Sequence, residues 1–458
     1  MNGSSRPGAA RSLALAFLLS VGLEGRARAT PPCAATATCI DVTGSGNASP
    51  TGLFVASCAG RFPDFIVRKD SLPAGYAGPV FKLSQDYPTK APPAEAAPWA
   101  TINFKTNATG YLVALREYAF DGMIGADFRP ENNTVRKWFN VPYLTYGGNA
   151  REAVHGLTSE RILNPPELGL TKPAHNFAIG FYNAPGGYAL GKIWKDPRKP
   201  SPAAAKFANG TMVFKILFTD ADAANFPAGK NITAGAPAWT IGVKGALQTV
   251  RLLQMDVAVR DPRSATGWVY GTFAYDAAAT GPDAWHKMQP VGLMFGDDPK
   301  YTAADQAANK PLKETIVSPS APAYALAHLG AQGRMNGPVD NPVSSCISCH
   351  STAEYPIENI ANILPFGSCN TDAKRLLWFR DLKPSQSFGA VDKTSCTLTM
   401  GPPGLKPLGT SLQVLVALHQ QLDNSGTNPC LPPIPAVHNA LARAPAGDEI
   451  VDRQPINR

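Results

Sequence analysis

The chain has 458 residues, 44% of them hydrophobic and 17% charged, the make-up of a globular protein long enough for two or three domains and a sizeable buried core. Its 43 Pro and 41 Gly stay below the roughly 25–30% that marks a disordered chain, and they favour strands, turns and long loops over a helical bundle. The formal charge of +8 contains no dense run of Lys or Arg, which argues against a nucleic-acid groove.

Residues 1–29 carry Arg6 and Arg11, an apolar run from Leu13 to Leu23 and then Ala27-Arg28-Ala29. This is the layout of a secretory signal peptide, with cleavage expected after Ala29. The run is too short for the ~20 residues that span a bilayer, and no later stretch is longer. The sequence therefore predicts a periplasmic or otherwise exported protein without stable membrane insertion. Four Arg and one Glu of this leader carry three of the eight net charges. Cys33 follows the expected cut without a lipobox.

A Cys-containing lead-in is expected over 30–60 and an antiparallel β-rich domain over 61–320. One helix is expected after "NATG", where Tyr111, Leu115 and Tyr118 recur at helical spacing and would pack on the sheet. The stretch 175–194 reads as a hairpin turning at Asn183 to Gly187. In "NGTMVFKILFTD", Met212, Phe214, Ile216 and Phe218 share one strand face, with Val213, Lys215 and Leu217 on the other. Leu253, Met255, Val257 and Val259 alternate with Gln254, Asp256, Ala258 and Arg260, the period of a half-buried strand. The aromatic and β-branched "GWVYGTFAYD" follows after "DPRSATG", which predicts an antiparallel pair.

From residue 321 to 458 the texture turns helical, in "APAYALAHLG", "AKRLLWFRDL" and the amphipathic 410–424, with Leu412, Leu415, Val416 and His419 along one stripe. Between the first two lies "SSCISCH", with Cys346, Cys349 and His350 in the order C-x-x-C-H. Two Cys at this spacing can reach the two vinyl groups of a porphyrin from one helical turn, and the next residue, His, then faces the iron. A structural zinc site would want four N or S ligands in close pairs, and the other Cys are scattered singly. A redox dithiol usually opens a helix after a strand of a βαβ unit, and 321–345 offers no such strand.

Covalent haem c is therefore the cofactor expected, held by Cys346 and Cys349 with His350 as axial ligand. Bacterial export fits, because haem attachment takes place outside the cytoplasmic membrane. For the sixth ligand, Met400 is the candidate, since it follows His350 and precedes the last amphipathic helix; Met335 and His328 are further candidates upstream. The other histidines, His155, His175, His286, His419 and His438, read as packed or solvated residues.

Six cysteines remain: Cys33, Cys39, Cys58, Cys369, Cys396 and Cys430. An oxidising compartment would pair them, with one bridge expected within each cluster of three and a further one possible between the chain ends. The N-x-S/T matches at Asn47, Asn107, Asn132, Asn209 and Asn231 read as chance in a bacterial chain. No nucleophile elbow, metalloprotease helix, phosphate loop or dinucleotide fingerprint occurs.

The C-x-x-C-H motif resembles c-type cytochromes. The order "FANGTMVFKILF", "QMDVAVRDPRSATGWVYGTFAYD", "SCISCH" also resembles the β-sheet haem family of cytochrome c-prime-beta and the lysine-cross-linked, hydroxylamine-oxidising cytochromes. That resemblance implies a haem packed on an antiparallel sheet, with an iron open to nitric oxide or hydroxylamine. Lys215 stands where the family's strand motif carries a Lys, although as a strand residue it reads as an amine reaching out to water. The chain departs from the family in length. About seventy residues separate "GTFAYD" from Cys346, and more than a hundred follow His350.

The fold class expected is α+β, a mainly antiparallel β region followed by a helical, cytochrome c-like haem-binding region. Three functions fit. The first is periplasmic electron transfer through one haem c, with a redox partner protein or a small-molecule donor or acceptor. The second is a haem enzyme or sensor whose open distal site takes a small nitrogen compound or peroxide. The third is a β-rich binding module with a haem relay.

Overall fold

The computed structural model describes residues 72–424 apart from 94–96, 145–150, 197–198, 357–362, 393 and 402, together with 53–55 and 66–68. The expected signal peptide, Cys33, Cys39, Cys58, Cys430 and His438 lie outside the described residues. In chain order the elements are β1 (Leu53–Val55), β2 (Ile66–Arg68), α1 (Ala108–Phe120), β3 (Thr158–Leu163), β4 (Ala174–Tyr182), α2 (Ala184–Ile193), β5 (Met212–Thr219), β6 (Ala238–Val243), β7 (Ala246–Arg260), β8 (Trp268–Tyr275) and β9 (Met288–Met294). They continue as α3 (Ala303–Ala307), β10 (Thr315–Val317), α4 (Ala323–Leu326), α5 (Cys346–His350), β11 (Glu354–Tyr355), α6 (Asp372–Arg375), β12 (Ala390–Val391), β13 (Leu398–Thr399), β14 (Lys406–Pro407) and α7 (Leu412–Asn424).

Strands β3 to β10 make one antiparallel sheet in the order β10-β9-β8-β7-β5-β4-β3, and β6 pairs with the first part of the long β7. The period-two pattern of the sequence determines how this sheet buries its faces. On one face Ile179, Phe181, Phe214, Ile216, Met255, Val257 and Phe273 join a core with α1, which contributes Tyr111, Leu112, Leu115 and Tyr118. Asn107 caps α1 by accepting from Gly110 N at 3.0 Å. At the centre of this core Phe214 meets Trp138 edge to face at 4.7 Å and 90°, and stacks on Phe181 at 4.9 Å.

The chain after β10 covers the second face. Ile347, Leu408, Val414, Leu415 and Leu418 pack in one cluster with Trp268, Tyr270, Val291 and Met294 of the sheet. The large antiparallel sheet with a few helices is the α+β architecture expected. The C-terminal helices are shorter than the sequence texture implies: α4 and α6 are single turns. Past the end of α6, Trp378 and Phe379 are both fully buried. Trp378 joins a small cluster with Phe388 and Val391, while Phe379 lies under the Arg334 guanidinium at 4.0 Å. That cluster surrounds the Cys369–Cys396 disulfide, the bridge made within the C-terminal group.

Two local expectations are corrected. The hairpin expected over 175–194 is β4 followed by the helix α2, because Asn183 caps rather than turns, accepting from Gly186 N at 3.4 Å, with Pro185 in the first turn. Gly186 and Gly187 serve close packing, since a Cβ on Gly186 would meet the Tyr182 ring at 2.8 Å and one on Gly187 would strike the Phe139 ring. On α7 the buried face is Val414, Leu415, Ala417 and Leu418, whereas Leu412 and Val416 border a cavity and His419 is only partly buried.

Phe214→Ala should remove the ring on which Trp138 and Phe181 pack and cost about 3–5 kcal/mol. Urea unfolding followed by tryptophan fluorescence measures it. A loss under ~1 kcal/mol would mean that this aromatic cluster is not the packed centre of the fold.

Candidate functional site

Helix α5 is short but strongly started. Ser345 Oγ accepts from Ser348 N at 2.9 Å and Ser348 Oγ accepts from Ser345 N at 2.8 Å, a reciprocal cap that closes the turn holding the two cysteines. The Ser345 hydroxyl also donates to Asp297 Oδ1 at 2.6 Å, tying the turn to the loop after β9. Asp297 is fully buried, its Oδ2 has no hydrogen-bond partner, and burial pushes its carboxyl up to about 8. Cys346 and Cys349 are free thiols facing a common cavity. Burial raises both, Cys349 to about 12, opposite to the lowered pKa of a reactive dithiol.

His350 borders the same cavity, and its ring orientation is determined by one contact. Nδ1 lies 2.9 Å from the carbonyl oxygen of Thr410. A carbonyl only accepts, so Nδ1 carries the proton and Nε2 holds the lone pair. Burial lowers the imidazole to about 4, which keeps it neutral at neutral pH. Thr410 itself sits at φ +67, a conformation costing a β-branched residue on the order of 1–2 kcal/mol.

The opposite wall is the second face of the sheet. Register places Gly180, Lys215, Asp256 and Thr272 in one row across β4, β5, β7 and β8. Small residues at 178, 180 and 258 leave room in front of the strands, and Leu412, Gln413 and Val416 of α7 close one side, giving a cavity of about 270 Å³. A Cβ on Gly180 would run into the Gln413 amide.

Charge is concentrated on this wall. Lys215 Nζ lies 4.0 Å from Asp256 Oδ2, and the Lys215 side chain is 27% exposed. Burial disfavours its charge, but Glu160, Asp340 and Asp256 outweigh that and raise its pKa. Asp256 is pushed up to about 7, by burial first and then by Asp340. It accepts from Gln254 Nε2 at 2.9 Å and from the Thr272 hydroxyl at 2.9 Å.

The structure thus brings Cys346, Cys349 and His350 together in one cavity and adds Lys215, which borders that cavity beside Asp256. It does not bring Met400 there. That side chain is 91% exposed on the strand-and-turn segment after β13 and borders no part of the cavity. Met335 is buried in the second-face core against Gly292, away from the cavity lining. His328 is spent on structure, with Nδ1 donating to Tyr324 O at 2.7 Å and Nε2 accepting from Leu168 N at 3.0 Å. His155 stacks on Trp239, His175 pairs with Asp220, and His286 pairs with Asp283. Thr410, Asp256, Glu160 and Gln413 were not singled out from sequence. The legible signal was Lys215 and Asp256 standing on the non-core side of adjacent strands.

Among the described residues, no three His, Cys, Asp or Glu side chains converge as a site for a metal ion alone. No helix among them is long and apolar enough to cross a membrane. No family model, curated protein or solved structure matches the chain. The donor set fits a covalently held porphyrin: two free, partly buried thiols three residues apart, and a neutral imidazole whose Nε2 is left as the free base, all on one cavity.

Asp297 gives this region a pH signature. The fold keeps its proton up to about pH 8, whereas an unfolded aspartate loses it near 3.9, so stability falls as pH rises between those values and is flat above them. Asp297→Asn, whose amide oxygen can still accept from Ser345, should make that decline shallower in urea titrations at pH 5 and pH 8. An identical slope in the variant would show that the carboxyl is not held protonated.

Proposed function

We propose that this chain is an exported c-type haem protein whose iron has an open face, acting as an enzyme or sensor for a small nitrogen compound or peroxide. Cys346 and Cys349 would carry the thioether bonds of one haem c, and His350 would hold the iron through Nε2. When bound, such a group supplies a redox-active iron able to take a small exogenous ligand. The observation that carries the open-face reading is the cavity lining. Among the described residues it offers no Met and no second His, and its remaining nitrogen base, Lys215, is kept protonated by its carboxylate neighbours.

The chain's own residues do three things in this scheme. Thr410 holds the proton on Nδ1 and so orients the imidazole. The row of Lys215, Asp256 and Thr272 places proton donors and acceptors on the cavity wall. Leu412 and Val416 of α7 add apolar surface to one side of the wall. Electron transfer through a six-coordinate iron, the other reading of the motif, needs Met400 to leave its exposed position.

Two measurements test this. Mature protein made in a host competent for cytochrome maturation should have the mass of the polypeptide plus one haem, and Cys346→Ser/Cys349→Ser should have the bare polypeptide mass. The bare mass in the parent protein would end the haem reading. The ferrous protein should bind carbon monoxide without prior displacement of a protein ligand, and Met400→Ala should leave its absorption spectrum unchanged. A six-coordinate ferrous spectrum that becomes five-coordinate in Met400→Ala would instead establish the electron-transfer reading.

A further inference from the structure

We infer, building on the haem-binding reading above, that Tyr270 and Tyr182 are positioning residues for the His350 imidazole, acting through the turn at Thr410 and Ser411. The two tyrosines stand in one cross-strand row, Tyr182, Val213, Ala258 and Tyr270, on the cavity face of the sheet. Their hydroxyls take consecutive residues of the turn that precedes α7. Tyr270 Oη donates to Thr410 Oγ1 at 2.8 Å, and Tyr182 Oη shares a hydrogen bond with Ser411 Oγ at 2.7 Å. Ser411 Oγ also accepts from Val414 N at 3.1 Å, so the turn is joined at once to the sheet and to the start of α7.

The backbone between these anchors is left-handed at two successive residues, Gly409 at φ +60 and Thr410 at φ +67. Glycine suits the first position, where a Cβ would approach Ala205 O and the Phe207 ring at 2.8 Å. Threonine does not suit the second, and a β-branched residue remains there only when its surroundings over-determine it. What Thr410 provides is a side-chain oxygen for Tyr270 and, on the same residue, the carbonyl that receives His350 Nδ1–H. Tyr270 also packs its ring beside the imidazole, with centroids 4.9 Å apart. If the hydroxyl contact is lost, Thr410 is free to relax to negative φ, and its carbonyl then turns from the ring. The carbonyl contact is what assigns the tautomer and raises the basicity of a ligating histidine, so the sheet tyrosines set both from a distance.

The test uses the full-length, haem-loaded protein, with haem content measured on every sample. In Tyr270→Phe the reduction potential should rise, and the iron–histidine stretching band of the ferrous form should move to lower frequency, because a less polarised imidazole donates less to the iron. Thr410→Val removes the hydroxyl while keeping a β-branched side chain that disfavours the left-handed backbone. It should show the same two shifts, which keeps the test valid if Tyr270→Phe folds poorly. Potential and stretching band equal to the parent in both variants would overturn the latch. Nitrogen-15 chemical shifts of His350 in the haem-free polypeptide give a separate readout, with an Nδ1-protonated ring expected in the parent and mixed tautomers in Tyr270→Phe. If the parent carries no haem, the proposed function fails while these shifts still decide the latch: mixed tautomers only in the variant support it, and the same tautomer in both overturns it.

Discussion

Lys215 and Asp256 face each other across adjacent strands on the second face of the sheet, with charged atoms 4.0 Å apart and Glu160 and Asp340 close enough to act on them. Desolvating such a pair costs several kcal/mol per ion unless each charge keeps partners, so this face cannot be closed by apolar packing as the other one is. The chain after β10 packs Ile347, Leu408 and Leu418 in one cluster with Trp268, Tyr270, Val291 and Met294 of the sheet, while the charged row borders the cavity. The cavity is the consequence of one strand row that water cannot leave cheaply and hydrophobic residues cannot fill.

The site is assembled from the two sides of that gap. One side is a single helical turn, closed by the Ser345 and Ser348 cap and tethered by Asp297. The other is the sheet, whose tyrosines reach over to the turn before α7. His350 touches both, through its own position on α5 and through the Thr410 carbonyl. A histidine oriented by a distant segment of chain, 60 residues further on, links the integrity of the C-terminal helix to the chemistry of the iron that the imidazole is proposed to hold.

Much of the sheet was legible because strand alternation is a local property. Met212 to Phe218 and Met255 to Arg260 bury the side that their period-two pattern selects, and the β7–β8 pair forms as its turn residues imply, whereas Leu253 sits at a register shift and packs with Leu217 and Val339 instead. The error at 183–193 has an equally local origin. Asn, Pro and two Gly in succession serve a hairpin or a capped helix start, and the choice fell to Tyr182 and Phe139, which need the glycines bare. At α6 the helical spacing visible in the sequence extends further than the single turn that forms, and Trp378 and Phe379 beyond it pack in different places.

By itself the amino-acid sequence determined the antiparallel sheet, the helix on its first face and the close grouping of Cys346, Cys349 and His350, because each depends on spacing along a few neighbouring residues. Only the tertiary structure decided which residues meet that group. Met400, near in sequence order to the last helix, is left in solvent. Lys215 and Thr410, 135 and 60 residues away from His350 in the chain, border the same cavity as Cys346, Cys349 and His350. Strand register and a left-handed turn made those choices, and both are set by long-range packing that no local pattern encodes.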